Sequence, residues 1–345
     1  MRLKLMQFNL QDFFLRLGFP LDPHDLIGLN EAEWQLLGNG DVPNKPLAKL
    51  RAIARVIADE GPDVLLLAEV GGRQALVDFV RLFLDGAYDV FFESGNSNRG
   101  IESAYLVRRC LPVIAEIRSH RHMPVVFQYP HEADPVGLAP TAELAAALPL
   151  DPPGKRRLSR DIPELRLFHA VDGKRAKQPF LAVLLAHLKS GYDPDGIDPG
   201  GAARRGGEAE ALHRLLDATR QELAPVPVIV AGDLNATAAR RGTAEEMQWI
   251  YAATDLEDAL EIAGTDPLDR ISHITYYGAE GSASQYDYIL LPKALHPRVQ
   301  KALTYVHRFR YAEDAVVIQM PGSMRQRWEL PSDHYPVVCT LDLLV

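Results

Sequence analysis

Val228-Ile229-Val230-Ala231-Gly232-Asp233-Leu234-Asn235 is the stretch on which the reading of this chain turns. A short apolar run bounded by turn formers reads as a buried strand, here over 226–231. It ends on a glycine, and an acid and an amide follow two positions apart. The same design recurs outward from it. A run over 64–68 ends on Glu69, and one over 180–186 ends on His187. A first strand over 3–9 closes on Asn9. Asp287 opens a run over 286–291, and Asp333 and His334 precede a last strand over 337–343.

Between these runs lie helical patterns. Leu47, Leu50, Ile53, Ala54 and Ile57 recur at helical spacing over 47–60, and Gly61-Pro62-Asp63 stops them. Leu76, Phe79, Val80 and Phe83 repeat the pattern over 74–84. Leu212, Leu215, Leu216 and Leu223 share a face of a helix over 202–223. Further strands read at 88–93, 102–107, 271–277, 299–306 and 315–319. Helices interleave early and strands dominate late. That pattern predicts two packed sheets with helices outside, an α/β sandwich. The stretch 120–177 is rich in Pro, Arg and Asp, with an Ala-rich helical piece near 141–148. It reads as an insertion or excursion, not a separate domain.

The chain has 345 residues, 47% hydrophobic and 24% charged, so it is an ordinary globular sequence rather than a disordered or collagen-like one. Two cysteines, Cys110 and Cys339, exclude a disulfide framework and read as lone core thiols. No apolar run approaches the ~18 residues of a membrane span. The N-terminus alternates like a strand and shows no signal-peptide pattern, which predicts a cytoplasmic protein. The formal charge of −9 speaks against coating nucleic acid by bulk charge, but it leaves room for a local basic groove.

Strand ends on one edge of stacked sheets converge in space. Asn9, Glu69, His187, Asp233, Asn235, Asp287, Asp333 and His334 gathered there make an oxygen-rich site with two imidazoles. Such donors suit Mg²⁺ or Mn²⁺, and no Cys or His cluster stands at zinc spacing. Imidazoles beside a hard cation bind phosphate oxygens or carry a proton. Each piece alone is also what a turn or a solvated strand end looks like. Their joint order is not.

Phe8-Asn9-Leu10-Gln11-Asp12, Pro62-Asp63-Val64-Leu65-Leu66-Leu67-Ala68-Glu69-Val70, Ala186-His187-Leu188-Lys189-Ser190, Gly232-Asp233-Leu234-Asn235, Tyr286-Asp287-Tyr288 and Ser332-Asp333-His334-Tyr335-Pro336-Val337 together resemble the endonuclease/exonuclease/phosphatase superfamily. The likeness omits only about 15–45 and 120–177. It implies one domain over 1–345 with the deoxyribonuclease-I-like fold: a four-layered α/β sandwich of two mixed sheets flanked by helices. It also implies a divalent metal and hydrolysis of a phosphoester. By the resemblance, Glu69 is the main metal ligand, with Asn9 close by and Asp333 a further metal-side carboxylate. Asp233 orients or deprotonates the attacking water, and Asn235 donates to the scissile phosphate. His334 contacts the phosphate, with Asp287 as its carboxylate partner, and His187 is a second histidine. One departure stands out: Gln11 takes a position where many relatives carry an acid, which puts a two-metal mechanism in doubt.

Asn96-Ser97-Asn98-Arg99-Gly100-Ile101 resembles the bacterial nuclease-like members, as do Lys189 and the Arg204-Arg205 pair opening a helix. A DNA backbone tracked along Arg99, Lys189, Arg204, Arg205 and Arg240-Arg241 makes a nuclease the first expectation. Such contacts position a strand without reading its sequence. The alternative is a phosphatase or phospholipase on an inositol phosphate, a sphingomyelin-like lipid or a nucleotide, marked by a basic pocket in place of a long groove. A second alternative, an inactive binding protein on this scaffold, is at odds with Glu69, Asp233, Asn235 and His334 all standing in place.

Overall fold

The central apolar run becomes a strand buried along its whole length, Val228–Asp233. The structure is a computed structural model, which describes residues 1–133, 156–277, 280–311, 316–317, 321 and 323–343. In chain order, the first sheet holds β1 (Arg2–Phe13), β2 (Val64–Val70), β3 (Tyr88–Phe91), β4 (Glu102–Arg108), β16 (Tyr305–Val306) and β19 (Val337–Asp342). Across the sheet the order is β16-β19-β1-β2-β4-β3. The second sheet holds β5 (Val113–Arg118), β8 (Glu164–Val171), β10 (Leu181–His187), β11 (Val228–Asp233), β12 (Leu256–Asp258) and β15 (Asp287–Pro292). Its order is β12-β15-β11-β10-β8-β5, with β9 (Lys174–Arg175) paired to β8. Short ribbons pair β6 (Pro124–Val125) with β7 (Arg156–Arg157), β13 (His273–Tyr277) with β14 (Glu280–Ser284), and β17 (Arg310–Tyr311) with β18 (Val316–Val317).

Both sheets are mixed. β1 runs parallel to β2 and antiparallel to β19, while β10 runs parallel to β11 and antiparallel to β8. Strand periodicity divides the core. Leu181, Val183 and Leu185 pack in the cluster that also takes Leu3, Leu5 and Leu65 of the first sheet. Ala182, Leu184 and Ala186 turn the other way, onto Leu212, Leu215 and Leu216. Those leucines belong to one of five helices that matter here: α1 (Glu31–Leu36), α2 (Leu47–Glu60), α3 (Arg73–Phe83), α4 (Ala202–Leu223) and α5 (Met324–Glu329). Leu50, Ile53 and Ile57 of α2 and Leu76 and Phe79 of α3 bury against the first sheet. Helices, sheet, sheet and helix make the four-layered α/β sandwich. The buried Tyr105 hydroxyl ties the layers, its one proton shared between Val183 O at 2.9 Å and Pro163 O at 2.7 Å.

Three expectations change. Residues 299–306 form a strand only at Tyr305–Val306, because 3-10 turns take Lys293–Arg298, with Pro297 inside, and Lys301–Leu303. The stretch 120–177 contains β8, an internal strand between β10 and β5, so it is not an excursion throughout. Leu165 and Leu167 face the core there while Glu164 and Arg166 pair with each other, and that ion pair disguised the strand's polarity. Cys339 is buried but Cys110 is exposed, and both are free. The Ala-rich piece near 141–148 lies outside the described residues, as does most of 315–319. Among the described residues no helix is long and apolar enough to cross a membrane.

Candidate active site

Register builds the site. His187 stands opposite Asp233 in the parallel pair β10–β11, and Asp233 stands opposite Asp287 in the antiparallel pair β11–β15. Three ionisable side chains therefore form one row across the second sheet. The first sheet contributes Gln7, Asn9 and Glu69. Gln7 and Asn9 continue the inward face begun by Leu3 and Leu5. Beyond Asn9 the β1–β2 register shifts, as does the β2–β4 register beyond Leu67. Such bulges re-aim side chains next to functional sites.

The backbone is strained at these same strand ends. Gln11, Asp12, Glu69 and Asn235 have φ of 51°, 48°, 62° and 50°. The left-handed region costs a non-glycine residue ~1–2 kcal/mol. Residues held there cluster at functional sites and persist only where surrounding contacts fix them. Here those contacts exist: Asp12 N donates to Glu69 Oε2 at 2.7 Å, Gln11 N to Asn9 Oδ1 at 2.9 Å, and Asn235 N to Asp233 Oδ1 at 2.9 Å. Gly232 has φ +134°, and a Cβ there falls 1.8 Å from Ala186 O. Only glycine lets β11 approach β10 closely enough to set Asp233 beside His187.

The polar groups join across the sandwich. Asn9 Nδ2 donates to Asp233 Oδ2 at 3.0 Å and lies 3.5 Å from Glu69 Oε1. Gln7 Nε2 donates to Asp287 Oδ1 at 2.9 Å, and Asp287 Oδ2 meets His334 Nδ1 at 2.7 Å. His334 Nε2 then points toward Asp233 Oδ2, 3.8 Å away. His187 Nε2 is 3.6 Å from Asp233 Oδ2 and 3.9 Å from Glu69 Oε1, while its Nδ1 is buried without a partner. Ser332 Oγ donates to Asn9 O at 2.8 Å and accepts from His334 N at 3.1 Å, pinning the segment that carries His334 to β1.

Burial separates the proton affinities. It opposes a charge on His334, but Asp287 and Asp233 outweigh it and raise the imidazole to about 10. Burial, with Asp287 beside it, pushes the Asp233 carboxyl up to about 7 against the pull of His334. Burial and the charges of Arg160 and His334 hold His187 well below the ordinary imidazole range. One histidine is therefore kept charged and the other neutral. Environments that drive titratable groups apart divide acid from base.

The other expected residues are placed less uniformly. Asn235 Nδ2 donates to Leu188 O at 3.0 Å. Asp333 does not join Asn9 and Glu69: it pairs with Arg327 at 2.7 Å, and His273 Nε2 is 3.9 Å away. Arg99 is 59% exposed and pairs with Asp12 at the lip. Lys189 Nζ donates to Ser190 O at 2.8 Å and Tyr192 O at 2.5 Å. Arg204 pairs with Glu208 at 3.2 Å, and the buried Arg205 with Glu246 at 2.7 Å. Lys189, Arg204 and Arg205 are thus each held by partners within the chain itself. The first turn of α4 docks on the body of the protein, and a buried guanidinium there needs a fixed carboxylate.

Other residues about the site had no motif. Gln7 is such, as is His273, whose ring lies 4.4 Å from that of His334, while Ser332 stood in the Ser332-Asp333-His334 stretch without an assigned role. Arg160 acts on His187 and Lys189 by its charge. Gln7 alone left a signal, as a polar residue on the inward face of a strand.

The donor chemistry fits a hard divalent cation. Glu69 and Asn9 offer oxygen, Asp233, Asp287 and His334 bring ligand atoms within 4.8 Å of one another, and no thiol is near. A model of the Endonuclease/Exonuclease/phosphatase family matches residues 6–334. The chain belongs to the endonuclease/exonuclease/phosphatase family. Members of this family are hydrolases of phosphoester bonds and generally depend on a divalent metal.

Solved structures agree on the fold. An endonuclease/exonuclease/phosphatase from Bacteroides vulgatus is 13% identical with a TM-score of 0.54, over 100% of both chains. Truncated Caenorhabditis elegans TDP2 is 16% identical with a TM-score of 0.53, over 99% of this chain and 98% of that one. The human Nocturnin catalytic domain, with a bound sulfate anion, is 17% identical with a TM-score of 0.52, over 99% and 94%. D. rerio TDP2, solved with a single-strand DNA product, is 16% identical with a TM-score of 0.53, over 99% of each chain. No curated protein matches this chain.

Proposed function

We propose that the protein is a metal-dependent phosphodiesterase that hydrolyses nucleic acid, with DNA as the first candidate. One observation carries the reading: Asp287, His334 and Asp233 form a continuous buried chain, with Asn9 and Glu69 beside its open end. Water attacks phosphorus and gives its proton to Asp233 as the bond to the leaving oxygen breaks. His334, kept protonated by Asp287, donates to the phosphate and supplies the proton that the leaving oxygen takes up. His187, neutral and buried, donates from Nε2 without adding charge. Asn235, whose Nδ2 donates to Leu188 O, offers its second amide hydrogen to the phosphate. Glu69 and Asn9 would hold a divalent cation, Mg²⁺ or Mn²⁺, whose charge would offset the negative charge that develops on phosphate. Asp333 is given up to Arg327, and with Gln11 uncharged the reading favours one metal.

The test is a panel of supercoiled plasmid, single-stranded oligonucleotide, RNA, inositol phosphates and a chromogenic diester, run with Mg²⁺ and with a chelator. Asp233→Asn and His334→Ala each lower kcat by roughly 10²–10⁴ on the preferred substrate, the ordinary weight of general acid–base catalysis. Full turnover after exhaustive chelation, or wild-type rates in both variants, sinks the reading. A second reading, hydrolysis of a small phosphorylated substrate, is favoured by the cations next to the site, which line a concave cavity.

A further inference from the structure

We propose that this cavity is a second phosphate subsite, in which Lys45 and Lys49 take a non-scissile phosphate and Trp328 takes the base beside it. The substrate is then a phosphorylated nucleotide unit. The inference rests on the phosphodiesterase reading and narrows its substrate.

The cavity measures about 680 Å³, a volume suited to a ligand of nucleotide size. Its charged lining is Lys45, Lys49, Arg99, Arg327 and Asp12: four cations against one carboxylate, in a protein of net charge −9. It opens beside the active site. Lys45 Nζ donates to Gln11 O at 2.7 Å, and Asp12 N holds Glu69.

Two of the four cations already have carboxylate partners. Arg99 has Asp12 and Arg327 has Asp333. Lys45 and Lys49 differ. Among the described residues neither forms an ion pair, and the one side-chain hydrogen bond between them is that from Lys45 Nζ to Gln11 O. Lys45 is 5% exposed and Lys49 is partly buried. Lys45 precedes the cap Pro46 and Lys49 lies in the first turn of α2, which has no acidic residue of its own, although Glu31 Oε2 accepts from Leu47 N at 2.9 Å. Like charges repel, and cations at a helix N-terminus oppose its dipole. Burial, together with Lys49, lowers Lys45 to about 7 against the pull of Asp333, Asp12 and Glu69. A phosphate between the ammonium groups removes the repulsion, satisfies their free donors and meets the helix dipole with the favourable sign.

Trp328 on α5 lines the same cavity and is 67% exposed. A bare indole beside a cationic pocket is a stacking platform for a nucleobase, worth ~1–3 kcal/mol per base. A phosphate next to a base has two sources, the phosphorylated end of a strand or a free short nucleotide.

The binding arm uses adenosine 5′-monophosphate with the chelated, metal-free protein, read by tryptophan fluorescence. It needs no turnover, so its failure is distinct from failure of the phosphodiesterase reading. Wild type shows saturable quenching that Trp328→Phe removes, and Lys49→Ala and Lys45→Met each weaken affinity about tenfold or more. Lys49 lies on a helix surface, so its variant decides the matter if Lys45→Met does not fold. Affinity unchanged in Lys49→Ala overturns the proposal. The turnover arm compares a dinucleotide and a longer strand, each with and without a terminal phosphate. Preference for the phosphorylated form, lost in Lys49→Ala, upholds the subsite, and the substrate with the larger preference names the source. Equal kcat/KM for both forms of both substrates overturns it.

Discussion

Asp287 serves two neighbours at once. One oxygen accepts from Gln7 and the other holds His334, so the carboxylate is fixed in plane and can charge the imidazole. The sign follows from this. A histidine raised to about 10 is protonated across the neutral range and loses its proton only at strongly alkaline pH. Asp287→Asn keeps the shape and removes the charge. The alkaline limb of kcat/KM then moves down in pH, toward the ordinary imidazole range. A pH–rate profile of the two proteins checks this, and coincident limbs rule it out. At this scale the sequence was most legible where short motifs carried residues together. Asp233, Asn235 and His334 fall into this class. Asp333 pairs with Arg327, a partner that no local motif announces, while its carboxylate stays within 4.8 Å of ligand atoms of His334 and His273.

The strands place these residues, and their irregularities do so as much as their regular pairing. Gly232→Ala puts a Cβ against Ala186 O at a φ that side chains rarely adopt. Backbone strain alone costs about 1–3 kcal/mol, and the contact adds to it. Urea unfolding should show a lower midpoint for this variant, with turnover falling further than stability as Asp233 leaves the row shared with His187. An unchanged midpoint contradicts the close-approach argument. The continuous apolar runs were legible as strands and the 3.6-residue patterns as helices: the pattern over 47–60 became Leu47–Glu60, stopped at Gly61 with φ 54°. What escaped was β5 and β8, whose polar positions are filled by ion pairs with one another and with Glu222. Polar residues paired within a strand and with a neighbouring helix hide the period of two. The bulges escaped as well, because a shift of register depends on what lies across the sheet.

At the scale of the whole molecule, Glu60 is a junction. Its carboxylate, at the end of α2, accepts from Lys4 of β1, from the Tyr305 hydroxyl at 2.7 Å and from His307 at 2.7 Å. Burial opposes its charge, but His307, Lys4 and Tyr305 lower it from 4.5 to about 2. A depressed carboxyl adds stability above its unfolded value and loses it as pH falls through the folded one. Thermal melts should therefore show this contribution intact above about pH 5 and lost progressively toward pH 2. Glu60→Gln flattens that acid slope while lowering stability at neutral pH. Parallel acid slopes in the two proteins are the contrary result.

Asn9 and His334 are 325 positions apart, and β1 sits between β2 and β19 in its sheet. Pairing over such distances makes folding slow, since long loops close before the contacts that stabilise them. Synthesis supplies Asn9 and Glu69 long before His334. A growing chain thus carries them without the imidazole or the Ser332 clasp that joins its segment to β1. The order of strands in this sheet acts as a clock: the row of Asp287, His334 and Asp233 is complete only after β19 has docked against β1.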